Sequence, residues 1–486
     1  MKPEYEYALL TDLYQLTMAQ GYWEVGKIDE QACFHMYFRE NPFKGGFSIA
    51  CGTAQLAEIV EGFNFSPDGI EYLASLQAPA GGPLFKKEFL DYLSDFKLNV
   101  DIDAVLEGSV VFPNEPLVRV CGPIMDCQML ETSLLNCINF ETLIATKAAR
   151  VCLAAQTPVA EFGLRRAQGA GGGLWASRAA IVGGCASTSN VLAGKMFDLP
   201  LSGTHAHSWV MAFESELEAF RAYARVMPNN CVLLIDTYDV HRGLENAITV
   251  GLEMKQKGAH LAGIRIDSGD LAWLARMARS RLDEVGLTDT GIVLSNDLDE
   301  YTIQSIRDQG AQVASWGVGT KLATAYDQPT LGGVYKLSAT KAAKSDVWRD
   351  CLKISEQSNK LTTPGVLDVR RYYSDDGRIA GDMVFDVNAS LCEYETIIDP
   401  SDSLRRKQLT GKRFETLLHP LARAGRVVLE DEQRDAKAAQ GRARVNLATL
   451  DTSQKRMLNP HTYPVGLEYG LFERRRDLVA QLRGIQ

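Results

Sequence analysis

The chain of 486 residues is 46% apolar and 23% charged, and its formal net charge is −10. This length allows two or three domains, and the negative charge disfavours a surface that binds nucleic acid. None of the ten cysteines belongs to a CxxC pair, which predicts reduced thiols in a cytoplasmic protein. The first residues are acidic rather than apolar, which argues against a signal peptide, and we expect no membrane-spanning segment.

Residues 1–135 predict an N-terminal α/β domain. The aromatic-rich run 32–38 predicts a strand, and Asn41-Pro42 predicts a turn. We place a catalytic domain at 136–345 and a C-terminal segment at 346–486. Because residues 401–456 are rich in charged side chains, we expect this segment to be peripheral and to pack on the N-terminal domain and the catalytic domain.

A repeating unit begins near residue 158, in which a short apolar run ends in polar residues or glycine and a helical pattern follows. The apolar runs are 159–162, 231–235, 262–266, 291–294 and 312–316. This alternation predicts parallel strands with crossover helices, either in an irregular βα (TIM-like) barrel or in an open doubly wound sheet. In both folds the residues that follow the strands meet at one edge, where ligands bind. Asp297 and Glu300 have the spacing of a capping box for one of the helices.

The segment Gly203-Thr204-His205-Ala206-His207-Ser208 carries two of the seven histidines of the chain. A histidine beside small hydroxyl residues is suited to transfer a phosphoryl group or a proton. No cluster of Cys and His supplies the further ligands of a metal site. The alternative is a pair of hydrogen-bonded structural histidines. We favour the functional interpretation because the pair follows a strand-like run at 199–201.

Four acidic residues, Asp236, Asp239, Asp267 and Asp270, follow two neighbouring apolar runs. Carboxylates in this position hold Mg²⁺ through water or bind ribose hydroxyls. Ser268 and Asp270 are also suitable N-caps for the helix that follows, so helix capping is the alternative. The two roles are compatible, and the sequence leaves both open.

Four cationic residues are predicted at the same edge: Arg165, Arg166, Arg265 and Lys321. Arg265 interrupts an otherwise apolar run, so its charge needs a partner. Either Asp267 or another neighbour neutralises it, or an anionic ligand does, and the sequence does not decide between them. The glycines of 317–320 are suited to cradle a phosphate with backbone N–H groups, or they serve only as turn residues. The chain has neither a P-loop nor a Rossmann GxGxxG motif.

Seven stretches, in order along the chain, resemble the nicotinate phosphoribosyltransferase family. They are residues 9–18, 38–43, 162–168, 203–208, 234–239, 265–270 and 317–320. The resemblance extends from residue 9 to about residue 365 and returns more weakly at 459–465. It departs at Gly171, where the family often carries an acid and we expect a more flexible loop here.

The resemblance implies type II phosphoribosyltransferase architecture: a βα barrel with an N-terminal α/β domain, commonly in a homodimer with a shared active site. It also implies that the ring nitrogen of nicotinate takes the phosphoribosyl group of 5-phosphoribosyl 1-diphosphate, the first step of NAD synthesis from nicotinate. ATP hydrolysis is coupled through a phosphohistidine, as in an ATP-dependent ligase, with Mg²⁺ as the cofactor. Nicotinate, 5-phosphoribosyl 1-diphosphate and ATP are the expected partners, without nucleic acid or membrane.

The resemblance also assigns roles to individual residues. His207 takes the phosphoryl group, and nicotinate is contacted by Tyr14, Thr204 and Arg265. Gly319 and Thr320 bind the phosphate of the phosphoribosyl group. The residues expected around the ribose and diphosphate are Arg166, Asp267, Ser268 and Asp270. Of these, Asp267 and Asp270 are the expected catalytic residues. The expected Mg²⁺ ligands are Asp236 and Asp270.

Other functions compete with this one. Nicotinamide or quinolinate phosphoribosyltransferases carry out the same chemistry on another pyridine. A non-catalytic metabolite-binding barrel predicts loss of His207 or of the acids that follow the strands, and all of these are present. An aldolase-like barrel that handles phosphosugars needs a Schiff-base lysine, for which Lys321 is the candidate.

Overall fold

The computed structural model describes residues 5–355 and 361–484. Its strands in chain order are β1 Gln31–Tyr37, β2 Ser48–Ile49, β3 Asp101–Val105, β4 Val110–Val111, β5 Val118–Pro123, β6 Val159–Glu161, β7 Ser187–Thr188, β8 Val232–Leu234, β9 Gly263–Ile266, β10 Gly291–Asn296, β11 Ser315–Val318, β12 Val334–Lys341, β13 Arg349–Asp350, β14 Leu367–Tyr373, β15 Ile379–Asp386, β16 Thr396–Asp399, β17 Asp402–Gln408, β18 Phe414–Thr416, β19 Leu418–Arg423, β20 Arg426–Val427 and β21 Val465–Glu468.

The α-helices are α1 Leu13–Glu24, α2 Thr53–Glu61, α3 Pro67–Ser75, α4 Lys87–Ser94, α5 Ile124–Met129, α6 Glu131–Ala155, α7 Gly169–Val182, α8 Val191–Phe197, α9 His207–Met211, α10 Glu216–Val226, α11 Val240–Gln256, α12 Leu271–Glu284, α13 Glu300–Asp308, α14 Thr320–Ala323, α15 Asp431–Arg434, α16 Ala436–Thr449 and α17 Tyr469–Leu482. Two short 3₁₀ helices lie at Pro42–Lys44 and Leu164–Arg166. None of the helices in residues 5–355 and 361–484 has the length and apolar character that a membrane span requires.

The chain divides into two compact units. The outer unit comprises the residues up to Leu143 together with those from Thr330 onward. The inner unit comprises Ile144–Pro329, between these two segments in the sequence. The segments on either side of the inner unit therefore fold together, whereas the sequence suggested three consecutive parts. Strand β12, which we placed with the catalytic domain, belongs to the outer unit. There it pairs with β1 in an antiparallel ladder.

The outer unit contains a seven-stranded sheet in the order β13-β12-β1-β5-β3-β19-β20. Strand β1 is buried along nearly its whole length, so both of its edges need hydrogen-bond partners. These come from β5 on one side and from the distant β12 on the other. Strand β19 pairs with β3, so part of the predicted C-terminal segment completes this N-terminal sheet.

A second sheet of the outer unit, in the order β17-β16-β21-β15-β14-β18, is built from the C-terminal region. Strand β15 is buried at every position, and its Met383 packs in a core cluster with Tyr372 of β14. The buried Arg371 pairs with Asp382 at 2.5 Å, and Tyr463 donates a hydrogen bond to the same carboxylate at 2.8 Å. The peripheral character expected of residues 401–456 is seen most clearly in β17, which is exposed along its whole length.

The inner unit is built on a parallel sheet in the order β7-β6-β11-β10-β9-β8. The chain is therefore an α/β protein with the predicted parallel strands. Four of the predicted runs match strands closely, whereas β11 begins at Ser315, three residues later than its run. No ladder joins β7 to β8 within the described residues, so the structure shows the sheet without a closed barrel. The contacts in this gap include a parallel bridge between Thr188 and Leu201, and a hydrogen bond from Leu234 N to His205 Nε2.

The capping box that we predicted from Asp297 and Glu300 is wrong. Asp299 is the N-cap of α13, and its side chain accepts a hydrogen bond from Thr302 N at 2.7 Å. Glu300 is fully buried and forms ion pairs with Lys147 at 2.7 Å and Arg150 at 2.8 Å. A buried glutamate is needed for these two cations, and helix spacing alone does not reveal that need.

Candidate active site

The polar residues of the inner unit gather where its parallel strands end. Because all six strands run in one direction, their carboxyl ends form a single edge of the sheet. Each of four neighbouring strands places one polar residue or glycine at this edge. Asp236 comes two residues after β8, Asp267 follows β9 directly, Asn296 is the last residue of β10, and Gly319 follows β11 directly. We call it the sheet edge and build the site from it.

Arg265 lies on β9 and is held by three side chains from three different segments. Nε donates to Ser295 Oγ at 2.7 Å, NH1 to Thr204 Oγ1 at 3.0 Å, and NH2 to Asp267 Oδ1 at 3.1 Å. Its side chain is 14% exposed. These bonds use three of the five guanidinium N–H groups, so each terminal nitrogen keeps one N–H without a partner among the described residues. Protein groups therefore neutralise the buried charge, and two donors are still available to a ligand.

The acids Asp236 and Asp267 are joined by hydrogen bonds across neighbouring strands. Asp236 Oδ2 accepts from Asp267 N at 3.0 Å and from Ser268 Oγ at 2.6 Å. Asp267 Oδ1 accepts from both Ser295 Oγ and Arg265. Asp236 Oδ1 is buried and has no hydrogen-bond partner among the described residues. One carboxylate thus orders the loop after β9 and retains a vacant acceptor.

The outer acids of the predicted set serve as helix caps. Asp270 accepts from Trp273 N at 3.0 Å at the start of α12, and Asp239 accepts from Arg242 N at 2.9 Å at the start of α11. Capping uses one oxygen of each carboxylate, so the second oxygen of Asp270 remains available. A set of three candidate ligand atoms within 4.8 Å of one another is found in the described chain only at Cys51, Glu107 and Glu141, in the outer unit. The acids of the sheet edge form no such triad.

The two histidines of the 203–208 segment have different environments. His205 is buried, its Nε2 accepts from Leu234 N at 3.1 Å, and its Nδ1 donates to Ala206 O at 3.3 Å. Burial lowers the pKa of His205, and the neutral ring fits these two bonds. His207 is half-buried at the first residue of α9, and its Nδ1 contacts Thr237 Oγ1 at 3.2 Å. Its Nε2 has no partner among the described residues, so His205 is structural and His207 has a nitrogen available for chemistry.

The loop after β11 packs against Phe162. A Cβ on Gly317 would approach the Phe162 ring to 2.7 Å, and one on Gly319 would lie 3.2 Å from Phe162 O. Packing against Phe162 therefore explains Gly317, which lies within β11 rather than in a turn. The Arg265 guanidinium lies 5.7 Å from the centre of the same ring. Phe162 thereby connects the predicted phosphate loop to Arg265, and Thr320 begins the short helix α14 beside it.

The remaining cations differ in availability. Arg165 and Arg166 are exposed in a 3₁₀ helix after β6, and their side chains have no partner among the described residues. Lys321 forms an ion pair with Asp299 at 2.7 Å. Although burial opposes it, this ion pair raises the pKa of Lys321, so the amine stays protonated. A protonated lysine is a poor Schiff-base nucleophile, which counts against the aldolase alternative.

Tyr14 and Gly171 lie outside the network around Arg265. Tyr14 is in the first turn of α1 in the outer unit, and half of its surface is exposed. Gly171 lies in the first turn of α7, so the segment that we expected to be a loop is helical. Glycine lowers helix stability by about 1 kcal/mol relative to alanine, which weakens this turn.

Three residues of the site received no role from the sequence. Ser295 bridges Arg265 and Asp267, Thr237 contacts His207, and the Phe162 ring lies beside Arg265. All three occur at ends of predicted strands, so their location was visible in the sequence. Their roles depend on which strands are neighbours, which periodicity does not reveal.

Comparison with known proteins places this geometry in a family. Residues 9–139 match the nicotinate phosphoribosyltransferase (NAPRTase) N-terminal domain, residues 158–373 match the NAPRTase family, and residues 368–475 match the C-terminal domain. Nicotinate phosphoribosyltransferase of Bacillus subtilis is 39% identical over 484 residues, covering 98% of this chain and 96% of that protein. The human protein of the same name is 35% identical and covers 77% of this chain and 79% of its own length.

Solved structures agree with the sequence comparisons. The crystal structure of human nicotinic acid phosphoribosyltransferase has a TM-score of 0.81 and 29% identity, covering 96% of this chain and 99% of that chain. A nicotinate-nucleotide pyrophosphorylase from Pyrococcus furiosus, at 21% identity and a TM-score of 0.69, shares the fold and covers 93% and 98% of the two chains. The chain belongs to the nicotinate phosphoribosyltransferase family.

Proposed function

We propose that this member of the family forms nicotinate mononucleotide and diphosphate from nicotinate and 5-phosphoribosyl 1-diphosphate, with coupled ATP hydrolysis. The observation that carries the proposal is the setting of Arg265, which keeps two uncommitted N–H groups while Thr204, Ser295 and Asp267 hold its guanidinium at the sheet edge. The bond from C1 of the ribose to diphosphate breaks with its electron pair leaving on diphosphate. The nicotinate ring nitrogen forms the new bond to C1.

Arg265 would bind the carboxylate of nicotinate. A guanidinium with one free N–H on each terminal nitrogen matches a carboxylate in a bidentate pair. Thr204, Ser295 and Asp267 fix the orientation of the guanidinium before the substrate arrives. Nicotinamide has no carboxylate to meet these donors, and quinolinate has two. This difference supports nicotinate over the two other pyridines, which remain the alternative substrates.

Asp267, Ser268 and Asp270 would surround the ribose, with Arg166 near the diphosphate. Loss of diphosphate gives the ribose carbon oxocarbenium character, which nearby carboxylates stabilise. The ion pair with Arg265 and the hydrogen bond from Ser295 orient the Asp267 carboxylate. Exposed Arg166 has no protein partner among the described residues and is available to the departing anion.

Mg²⁺ is the cofactor that we propose for the same edge. Asp236 Oδ1 is a buried acceptor without a partner among the described residues, which fits a hydrated cation. Because the acids form no close triad, we expect Asp236 and Asp270 to hold the ion through water. When bound, Mg²⁺ supplies positive charge that stabilises the departing diphosphate.

ATP coupling would proceed through His207. The contact of Nδ1 with Thr237 orients the ring and leaves Nε2 as the nucleophile. Nε2 forms a bond to the terminal phosphorus of ATP as the bond from that phosphorus to ADP breaks, and water later hydrolyses the phosphohistidine. Gly319 and Thr320 would bind the 5-phosphate through backbone N–H groups and the threonine hydroxyl.

We further propose that the sheet forms part of a type II phosphoribosyltransferase barrel. The segment from Leu201 to His205 would fill the gap between β7 and β8, because it contacts Thr188 at one end and Leu234 at the other. We expect a homodimer in which Tyr14 of one subunit stacks on the pyridine ring held by the other. Cytoplasmic localisation stays a prediction from the cysteines.

Diphosphate release tests the proposed function directly. The purified chain is given 5-phosphoribosyl 1-diphosphate with nicotinate, nicotinamide or quinolinate, each with and without ATP. We expect turnover with nicotinate that ATP stimulates, and little turnover with nicotinamide. Preference for quinolinate with release of CO₂ would reassign the substrate. Absence of release with all three bases would favour a non-catalytic binding protein.

A further inference from the structure

A cavity of about 970 Å³ lies in the outer unit, beside the C-terminal six-stranded sheet. Buried Ile379 and Ile397 contribute apolar surface to it, strand β17 lines one part, and residues 451–465 line another. Cavities of this size hold small-molecule ligands as large as a nucleotide. We call it the C-terminal cavity; no residue of the sheet edge lines it.

Three cations in the lining have no carboxylate partner among the described residues. Each donates instead to a backbone carbonyl: Arg406 Nε to Ser403 O at 2.8 Å, Lys407 Nζ to Ala380 O at 2.6 Å, and Arg456 Nε to Ser453 O at 3.1 Å. The terminal nitrogens of both guanidinium groups therefore keep their N–H donors. Arginine donors of this kind bind phosphate in bidentate geometry.

The carboxylates in the lining are already engaged. Asp399 accepts hydrogen bonds from Ser401 N at 2.8 Å and Ser401 Oγ at 2.6 Å. Asp451 accepts from Arg378 at 2.7 Å and from Ser453 N at 2.8 Å. Four cations, Arg405, Arg406, Lys407 and Arg456, line the C-terminal cavity against these two carboxylates, so it has an excess of positive charge although the chain as a whole has a net charge of −10. Local charge of this sign concentrates anions.

Lys407 adds a second sign of an anionic ligand. Although β17 is exposed, partial burial of the Lys407 ammonium, and then the charge of Lys412, lower the pKa of Lys407. Its only hydrogen bond among the described residues is to the neutral carbonyl of Ala380. An anion beside this ammonium would accept charge-assisted hydrogen bonds from the N–H donors that Ala380 leaves unused. The neighbouring Asn459 and Thr462 supply neutral hydrogen-bonding groups to the same lining.

We infer that the C-terminal cavity binds a nucleotide, with the phosphates on Arg406, Lys407 and Arg456 and the base over Ile379 and Ile397. The apolar surface distinguishes a nucleotide from a bare inorganic anion, since a site for phosphate alone needs none. This site is additional to the proposed catalytic one and does not depend on it.

ATP titration of the full-length protein by calorimetry tests the inference. The double variant Arg406→Glu with Arg456→Glu is compared with the wild type and with the control Arg444→Glu, an exposed arginine of α16 outside the cavity lining. Wild type and control are expected to bind one more equivalent of ATP per chain than the double variant. An equal number of equivalents in all three proteins would overturn the inference. ATP bound at His207 adds equally to all three, so failure of the proposed function leaves this difference unchanged.

Two further measurements fix the ligand class and guard against a misfolded variant. Tripolyphosphate, which lacks the nucleoside, is expected to bind the cavity about tenfold more weakly than ATP, and equal affinity would overturn the nucleotide assignment. In the wild type, ATP is expected to slow amide hydrogen exchange in residues 451–465. Unchanged exchange there at saturating ATP would also count against the site.

Discussion

Arg265 donates a hydrogen bond to Thr204 across 3.0 Å, which joins β9 to the segment that carries His207. The group that would bind nicotinate and the histidine that would take the phosphoryl group are therefore parts of one hydrogen-bonded assembly. In the proposed mechanism, a change at His207 would reach Arg265 through residues 204–207.

Replacing Arg265 with alanine should raise KM for nicotinate about ten- to a hundredfold, because a hydrogen bond to a charged group contributes about 1.5–3 kcal/mol. KM for ATP should change little. Steady-state kinetics with each substrate measures the split, and Arg276→Ala, at an arginine of α12 without a protein partner in the described chain, is the matched control. An equal increase in KM for nicotinate and for ATP would contradict the proposal that Arg265 binds the nicotinate carboxylate.

Replacing His207 with alanine should abolish the transfer of radiolabel from γ-labelled ATP to the protein and remove the stimulation by ATP. The fold should be unaffected, because the side chain makes a single half-buried contact with Thr237. His205→Ala should instead lower the stability of the fold and keep the labelling. It leaves the buried Leu234 N–H without an acceptor, at a cost of about 1–3 kcal/mol in unfolding free energy, but the folded protein should still be labelled. Label that persists in His207→Ala would move the acceptor elsewhere.

Mixing Tyr14→Ala with His207→Ala subunits tests a shared active site. The readout is ATP-stimulated turnover, of which each variant alone should show little or none. Random exchange places half of the subunit pairs in heterodimers, each with one intact site, so activity should return to about a quarter of the wild-type value. No recovery at any ratio would show that Tyr14 serves the site of its own chain or none.

Asp236→Asn should raise the Mg²⁺ concentration needed for half-maximal activity about tenfold or more, as loss of a group that orients a bound ion commonly does. The asparagine oxygen still accepts from Ser268, so the loop after β9 should keep its order. Activity titrated with Mg²⁺ gives the measurement, and Asp239→Asn, which alters only a helix cap, is the control. If the two variants needed the same Mg²⁺ concentration for half-maximal activity, the result would contradict the assignment of Asp236 as a Mg²⁺ ligand.

Stability should depend on pH through His35 in the outer unit. Burial, and then the charge of Arg119, lower the pKa of His35 to about 3 from 6.5. Between these values the unfolded chain binds a proton that the folded chain does not, so stability is full above pH 6.5 and falls as the pH decreases. From pH 7 to pH 5 the wild type should lose about 2 kcal/mol more unfolding free energy than His35→Gln. Denaturant unfolding at both pH values checks this, and parallel losses would contradict it.

The strand pattern and the location of the site were predictable for a physical reason. Parallel strands buried on both faces produce apolar runs, and the polar groups that end them stand out in the sequence. Asp236, Arg265 and Gly319 were all selected in this way. The partner of Arg265 was not predictable, because Asp267, Ser295 and Thr204 were equally eligible by position. The structure shows that all three contact it.

The sequence by itself determined the family, the parallel α/β core and the residue types at the sheet edge, because these follow from local periodicity and short motifs. Only the tertiary structure decided that His205 is a structural residue while His207 keeps a free nitrogen. It also decided that β12 and β19 complete the N-terminal sheet. The reason is the same in both cases: hydrogen bonds between residues distant in sequence depend on strand order and burial, which no local pattern encodes.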